Sequence, residues 1–229
     1  MNREVIIACD FSNRKDFVKF IDKFNEPLFL KIGMELFYKE GIEIIEYVKS
    51  KNHKVFLDLK LHDIPNTVYK AMLNIAKLDV EFVTVHASGG SEMLKSAAKA
   101  VKNTSTKILG VTVLTSIDEE ILNNELNVNM SVRKQAVNLA KLCKENDIFG
   151  VICSPNEVKD IKNQVNIKCV TPGIRLTGDS LSDQKRVATP NDAYKMGSDY
   201  IVVGRSITAS EDAVLSYKKC VKLFGGSYE

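Results

Sequence analysis

The sequence has no CxxC pair, no linker rich in proline, glycine or serine, no low-complexity segment and no apolar run approaching the length of a membrane span. Each absence narrows the field. Its five cysteines (Cys9, Cys143, Cys153, Cys169 and Cys220) are odd in number and irregularly spaced, so neither a disulfide framework nor a zinc site is supported. Buried free thiols in a reducing compartment are expected instead. The first apolar run is five residues long and sits among Arg3, Glu4 and Asp10, too short for a signal-peptide core. A cytoplasmic protein without a membrane partner is the expectation. The 32 basic and 29 acidic residues are spread evenly, with no basic block and no interleaving of aromatic and basic side chains, which argues against nucleic acid. A small anionic ligand needs only a local positive site, and the net charge of +3 neither reveals nor excludes one.

What is present is a regular alternation. The chain has 229 residues, 45% of them apolar, enough for one large domain or two small ones, and α/β barrels commonly reach this size as one domain. Eight short apolar, β-branched runs recur: VIIAC (5–9), LFLKI (28–32), VFLDL (55–59), FVTVHA (82–87), ILGVTVL (108–114), GVICS (150–154), KCVTPGI (168–174) and YIVVG (200–204). They are nearly continuous rather than strictly alternating, as parallel strands covered on both faces are. Helical periodicity lies between them. Phe17, Phe20, Ile21 and Phe24 recur at i, i+3, i+4, i+7, and Val68, Met72, Ile75 and Ala76 nearly so. Leu94, Ala97, Ala98 and Val101 do the same, as do Val132, Ala136, Leu139, Ala140 and Cys143. Strand and helix repeated eight times predict a (β/α)8 TIM barrel, one α/β domain over 1–229. A doubly wound sheet is the competing architecture, disfavoured by eight units without a break.

A barrel carries its active site at the C-terminal ends of its strands. At that end the sequence delivers Asp10, then Lys31, then Asp58 and Lys60, then His86, then Thr115 and Ser116, then Arg175 and finally Arg205. Any one of these is readable as a satisfied structural residue, His86 especially. Together at one end they are hard to read as chance. The densest stretch is DLKLHDIPNTV (58–68). Asp58 and Lys60 are two apart on a strand, so they share a face, their Cα atoms roughly 6–7 Å apart. Lys31, one strand over, can reach Asp58, and the order Lys31–Asp58–Lys60–Asp63 reads as an alternating charge array. Each carboxylate favours the ammonium form of its neighbouring lysine, and an ammonium can donate a proton. An ion-pair network that merely closes a strand end would use the same residues. Pro65 cannot continue the strand and suits the first turn of a helix.

The loops after strands 7 and 8, where barrels often hold phosphate, read TPGIR (171–175) and VGRSI (203–207). Gly173 and Gly204 would admit an anion to backbone N–H groups, with charge from Arg175 and Arg205. The segment LTGDSLSDQKRVATP (176–190) is long, polar and poor in apolar anchors, which suits a mobile lid or a merely solvated loop.

These stretches resemble one family. DLKLHDIPNTV, KIGMELFYKEG (31–41), VTVLTS (111–116), TPGIRLTGDSLSDQKRVATP (171–190) and VVGRSIT (202–208) match the short bacterial orotidine 5′-phosphate decarboxylases in order and spacing, through essentially the whole chain. Cys9 is a small departure, where a larger apolar residue is expected. The resemblance implies decarboxylation of orotidine 5′-monophosphate to UMP and carbon dioxide, the last step of de novo UMP synthesis, without metal or cofactor. It implies Lys60 as proton donor to C6 and Asp58 against the substrate carboxylate. Lys31 would hold Asp58 and a ribose hydroxyl, and Asp10 would bind ribose too. Thr115 would contact the pyrimidine, and Gln184 would bridge base and phosphate. Arg205 and the Gly204 backbone would bind phosphate, with Arg175 in support. Asp63 and Thr67 would reach the partner's site in a homodimer. Two rivals stand beside it. A magnesium-dependent keto-sugar-phosphate decarboxylase or aldolase also carries DxKxxD, but places an acid at the end of strand 2, where this chain has Lys31. A non-catalytic phosphonucleotide-binding barrel would not need the whole charge array.

Overall fold

The computed structural model describes residues 3–178 and 187–226. Eight parallel strands close into a barrel in sequence order: β1 (Glu4–Ala8), β2 (Phe29–Gly33), β3 (Lys54–Leu61), β4 (Phe82–His86), β5 (Lys107–Val111), β6 (Gly150–Ile152), β7 (Lys168–Ile174) and β8 (Tyr200–Val203), with β8 pairing back to β1. Around them lie α1 (Arg14–Ile21), α2 (Met34–Glu40), α3 (Ile42–Ser50), α4 (Pro65–Ala76), α5 (Gly90–Val101), α6 (Val132–Glu145), α7 (Val158–Gln164), α8 (Pro190–Met196), α9 (Arg205–Thr208) and α10 (Ala213–Leu223). The expected barrel is therefore the observed one, and the doubly wound sheet is excluded.

Local chemistry sets the helix starts. The Asn13 side chain accepts the Asp16 N–H at 2.9 Å, opening α1, which buries Phe17, Phe20 and Ile21 as the periodicity requires. Pro65 opens α4 in the position that needs no N–H. Thr189 and Asp192 form a reciprocal capping box at the start of α8.

Two departures from simple alternation matter. Between β2 and β3 there are two helices, because Gly41 takes φ 67° and breaks one path into α2 and α3. And β5 stops at Val111, short of the expected run to 114 and of Thr115 and Ser116. Its ladder partner β6 is only three residues long, and the Thr112 hydroxyl donates to the Ile152 carbonyl at 2.8 Å, closing the pairing there. β6 is cut short in turn by Ser154, which caps a turn at Pro155–Glu157.

The core has two layers. Val5 and Ile7 of β1 face the helices, in one continuous cluster with Phe17, Leu36, Val48 and Met72, while Ile6 and Ala8 face the barrel axis. The axial layer is Ile6, Ala8, Phe29, Phe56, Phe82, Leu109, Val170 and Val202. Its lower part is aromatic. Phe29, Phe82 and Tyr200 start their strands and Phe149 precedes β6, and the Phe82 ring lies 5.1 Å from both Phe29 and Tyr200 and 5.8 Å from Phe149. The buried rings of Phe29 and Phe82 each stabilise by about 1.5–3 kcal/mol. All five cysteines are buried thiols outside any disulfide, as expected. Among the described residues no helix is long and apolar enough to cross a membrane.

Candidate active site

The axial parity carries the chemistry upward. Two residues beyond Phe29 is Lys31, two beyond Phe56 is Asp58, and two beyond Phe82 is Thr84. The period-2 pleat thus lifts charge directly above the apolar layer, at the C-terminal mouth. A cavity of about 440 Å³ opens there. Asp10, Lys31, Asp58, Lys60, Thr115, Gly173, Arg175, Gly204 and Arg205 all line it.

Asp58 is the hub. Its Oδ2 accepts from the Lys60 ammonium at 2.9 Å, and the Lys31 Nζ stands 3.8 Å from the same oxygen. Its Oδ1 accepts from the Thr84 hydroxyl at 2.9 Å. Lys31 also donates to Asp10 at 2.8 Å. Asp58 and Lys31 side chains are each 12% exposed, whereas Asp10 is 61% exposed. Burial works against the Lys31 charge, but the Asp10 and Asp58 carboxylates outweigh it and hold the ammonium above the ordinary lysine value.

Lys60 shares the Asp58 face by a different route from a regular strand. The β3–β4 register shifts between Leu57 and Leu61, and Lys60 takes φ 52°. Left-handed backbone costs a non-glycine residue about 1–2 kcal/mol. The Lys60 N–H, out of the ladder, is accepted by the Thr84 hydroxyl at 2.8 Å. Thr84, fully buried, was not anticipated from sequence. A β-branched residue inside FVTVHA reads as an ordinary strand former, and its one signal was a hydroxyl in an otherwise apolar run. Gly33 was not anticipated either. A Cβ there would stand 3.2 Å from both Asp10 Oδ1 and Lys31 Nζ, so the missing side chain makes room for that pair.

At the opposite wall, Gly173 takes φ 77° and Arg175 is buried, its guanidinium donating to the Ile174 carbonyl at 3.0 Å. The Arg175 N–H donates to the Ala188 carbonyl at 3.0 Å and the Ala188 N–H to the Gly173 carbonyl at 3.2 Å, so Ala188 is held against the end of β7. Gln184 lies outside the described residues. Gly204 precedes Arg205, which begins α9 with an exposed side chain directed to the cavity. An added Cβ at Gly204 would meet Ala8 at an ordinary 3.6 Å, so packing alone does not demand glycine there.

Asp63 and Thr67 are not brought to this cavity. Residues 62–67 are all exposed, Ile64 at 66%, and the Asp63 carboxylate accepts the Ile64 N–H at 2.7 Å. The charge array within one chain is therefore Asp10–Lys31–Asp58–Lys60, without Asp63. His86 stacks obliquely on His62, ring centroids 5.3 Å apart, and burial, His62 and Lys60 hold it below the ordinary histidine value. Cys9, the small departure, is fully buried on the helix-facing side, where burial pushes its thiol up.

A Lys–Asp–Lys set centred on the buried Asp58 at one wall and an Arg–Gly wall opposite can hold an anionic substrate at two points and place an ammonium against a carbon bearing a carboxylate. The model of the orotidine 5′-phosphate decarboxylase / HUMPS family matches residues 3–220. The chain is 50% identical to the orotidine 5′-phosphate decarboxylase of Staphylococcus haemolyticus over 216 residues, covering 93% of this chain and 94% of that one. It is 47% identical to that of Fusobacterium nucleatum, over 98% and 97% of the two chains. The crystal structure of the Lactobacillus acidophilus orotidine 5′-phosphate decarboxylase superposes with a TM-score of 0.89 at 42% identity, covering 98% of this chain and all of the other.

Proposed function

This chain belongs to the orotidine 5′-phosphate decarboxylase / HUMPS family and decarboxylates orotidine 5′-monophosphate to UMP and carbon dioxide in pyrimidine synthesis; from that premise we propose that Lys60 supplies the proton that replaces the lost carboxylate. The observation that carries this reading is the Lys60 ammonium held 2.9 Å from Asp58 at the cavity wall.

In the proposed mechanism the C6–carboxylate bond breaks heterolytically. Its electron pair stays on C6, carbon dioxide leaves, and the Lys60 ammonium transfers a proton to C6 and becomes an amine. The family's proficiency sets the demand near the top of the enzyme range, about 20 kcal/mol or more. A prearranged ammonium beside a developing carbanion acts on the transition state specifically, the kind of interaction that raises rate. Asp58 lies against the substrate carboxylate, and their repulsion is relieved as carbon dioxide departs. Lys31 holds Asp58 and a ribose hydroxyl, Asp10 binds ribose, and Thr115 contacts the pyrimidine. Arg205 and the Gly204 backbone take the phosphate with Arg175 behind them, and Gln184 bridges base and phosphate. No metal or cofactor enters the scheme.

We infer further that the working unit is a cytoplasmic homodimer in which Asp63 and Thr67 complete the partner's site. The exposed run 62–67, with Ile64 at its centre, supports this reading.

Mixing the purified protein with orotidine 5′-monophosphate in excess EDTA and following the orotate ultraviolet band tests the proposal. Rapid loss of the band is expected. Loss only after magnesium is added would overturn the metal-free scheme, and tight UMP binding without turnover would leave a binding protein.

A further inference from the structure

We propose that Thr84 is the positioning residue of the proton donor, its single hydroxyl fixing the Lys60 backbone and the Asp58 carboxylate relative to each other. The inference rests on Lys60 being the donor, and it adds a residue that lies beneath the cavity rather than on it.

The polarity of the contact is fixed by its partners. The Lys60 backbone N–H can only donate and the ionised Asp58 carboxylate can only accept. The Thr84 oxygen therefore receives at 2.8 Å and gives its one proton at 2.9 Å. It has no freedom to reverse, being fully buried. With Lys60 Nζ on Oδ2 and Thr84 on Oδ1, the plane of the carboxylate is set from both ends. The same hydroxyl holds the register shift in β3, where Lys60 stands at φ 52° without a ladder partner for its N–H. Backbone and ammonium of one residue are thus tied to one carboxylate by two routes, the first through the Thr84 hydroxyl and the second direct. A threonine that only filled the core would need neither.

The test compares Thr84→Ser, which keeps the hydroxyl, with Thr84→Val and Thr84→Ala, which remove it. The Val and Ala variants should lose about 10- to 100-fold in kcat, about 1.4–2.7 kcal/mol. KM should stay within about threefold of the parent, because the phosphate wall is untouched, and Thr84→Ser should retain kcat within about threefold. UMP affinity, measured on each variant, should be unchanged. The proposal is overturned if the Val and Ala variants keep near-parental kcat. It is equally overturned if Ser is as slow as Val, if the loss falls on KM alone, or if UMP affinity falls in proportion. Amide exchange on the unmodified protein gives a check independent of variant folding: the Lys60 N–H should exchange slowly, and fast exchange would sink the idea. Lys60→Ala separates this from the donor assignment. Full turnover there removes the donor, whereas a dead Lys60→Ala with a fast Thr84→Val removes only the role of Thr84.

Discussion

Lys31→Met isolates the electrostatics of the mouth, because methionine keeps most of the aliphatic stem and deletes the charge. Lys31 and Asp58 are 3.8 Å apart and each 12% exposed. At an effective dielectric of about 20 their attraction is about 4 kcal/mol. The Asp10 contact adds less, since Asp10 is 61% exposed and such pairs contribute about 0–1 kcal/mol. Asp58 keeps Lys60 and Thr84 in the variant, so between half and all of the 3.8 Å attraction is lost to the site. That leaves the buried carboxylate undercompensated before an anionic substrate, and kcat/KM should fall by about 30- to 1000-fold. Stability should respond far less. Burying the ammonium is itself costly, the largest influence on Lys31, so removing it relieves a cost as it removes an attraction. A change of about 1 kcal/mol, or about 2–4 °C in Tm, is expected for a chain of this size. Orotate-band kinetics and thermal unfolding on the same preparation decide the matter. An activity loss under tenfold with an unchanged Tm would refute the electrostatic reasoning, and a Tm drop above 10 °C would make Lys31 a structural residue. The raised Lys31 value also means that its charge persists through neutral pH and is lost only above the ordinary lysine range, about 10.4.

Lys60→Ala should abolish turnover while sparing most UMP binding, read by single-turnover kinetics and titration calorimetry; a near-normal rate would discard the donor. Arg205→Ala should raise KM at least about tenfold by removing charge-assisted phosphate bonds of about 1.5–3 kcal/mol, and an unchanged KM would withdraw the phosphate assignment. Asp199 should govern part of the acid limb of stability. Burial pushes its carboxyl up, but Lys162, Lys168 (2.8 Å) and the Cys169 N–H hold it below the ordinary value. Its folded value is thus lower than its unfolded one, so its contribution is full above about pH 4 and disappears as pH falls through the folded value. Tm should therefore drop less between pH 5 and pH 3 in Asp199→Asn than in the parent, and equal drops would contradict the assignment. Ile64→Asp should yield monomers in sedimentation with activity down more than about 100-fold, if about 3 kcal/mol of site organisation comes from the partner; an active monomer would remove the shared site.

The barrel was legible because parallel strands covered on both faces announce themselves as short apolar runs, and eight of them alternated with helical periodicity. The mouth was legible because strand ends are where polar residues otherwise have no reason to accumulate, and Lys31, Asp58, Lys60, Thr115 and both arginines do line one cavity. What sequence could not supply was irregularity. The register shift that puts Lys60 into left-handed backbone has no composition signature, since lysine is not a residue that favours it. Thr84 acts through a hydroxyl hidden by its own β-propensity, and Gly33 acts through an atom it lacks. The end of β5 depended on how long β6 is, a property of a different stretch of chain. Adjacency in sequence sets Asp63 beside Lys60, and the turn before α4 faces it outward from the same chain's cavity.

Among the described residues, the aromatic packing of Phe29, Phe82, Phe149 and Tyr200 at the barrel floor makes the cavity a blind alley. The cavity opens at the C-terminal mouth above that floor. In the proposed mechanism carbon dioxide would form beside Asp58, above that floor, with the nucleotide in the same cavity. On that scheme the gas would leave by the same mouth as the nucleotide, and its stay would set how often the carbanion meets it again. Protonation at C6 would then be what makes the forward path irreversible, and the proposed seating of Lys60 on Thr84 and Asp58 would have a second purpose: finishing before the gas can return.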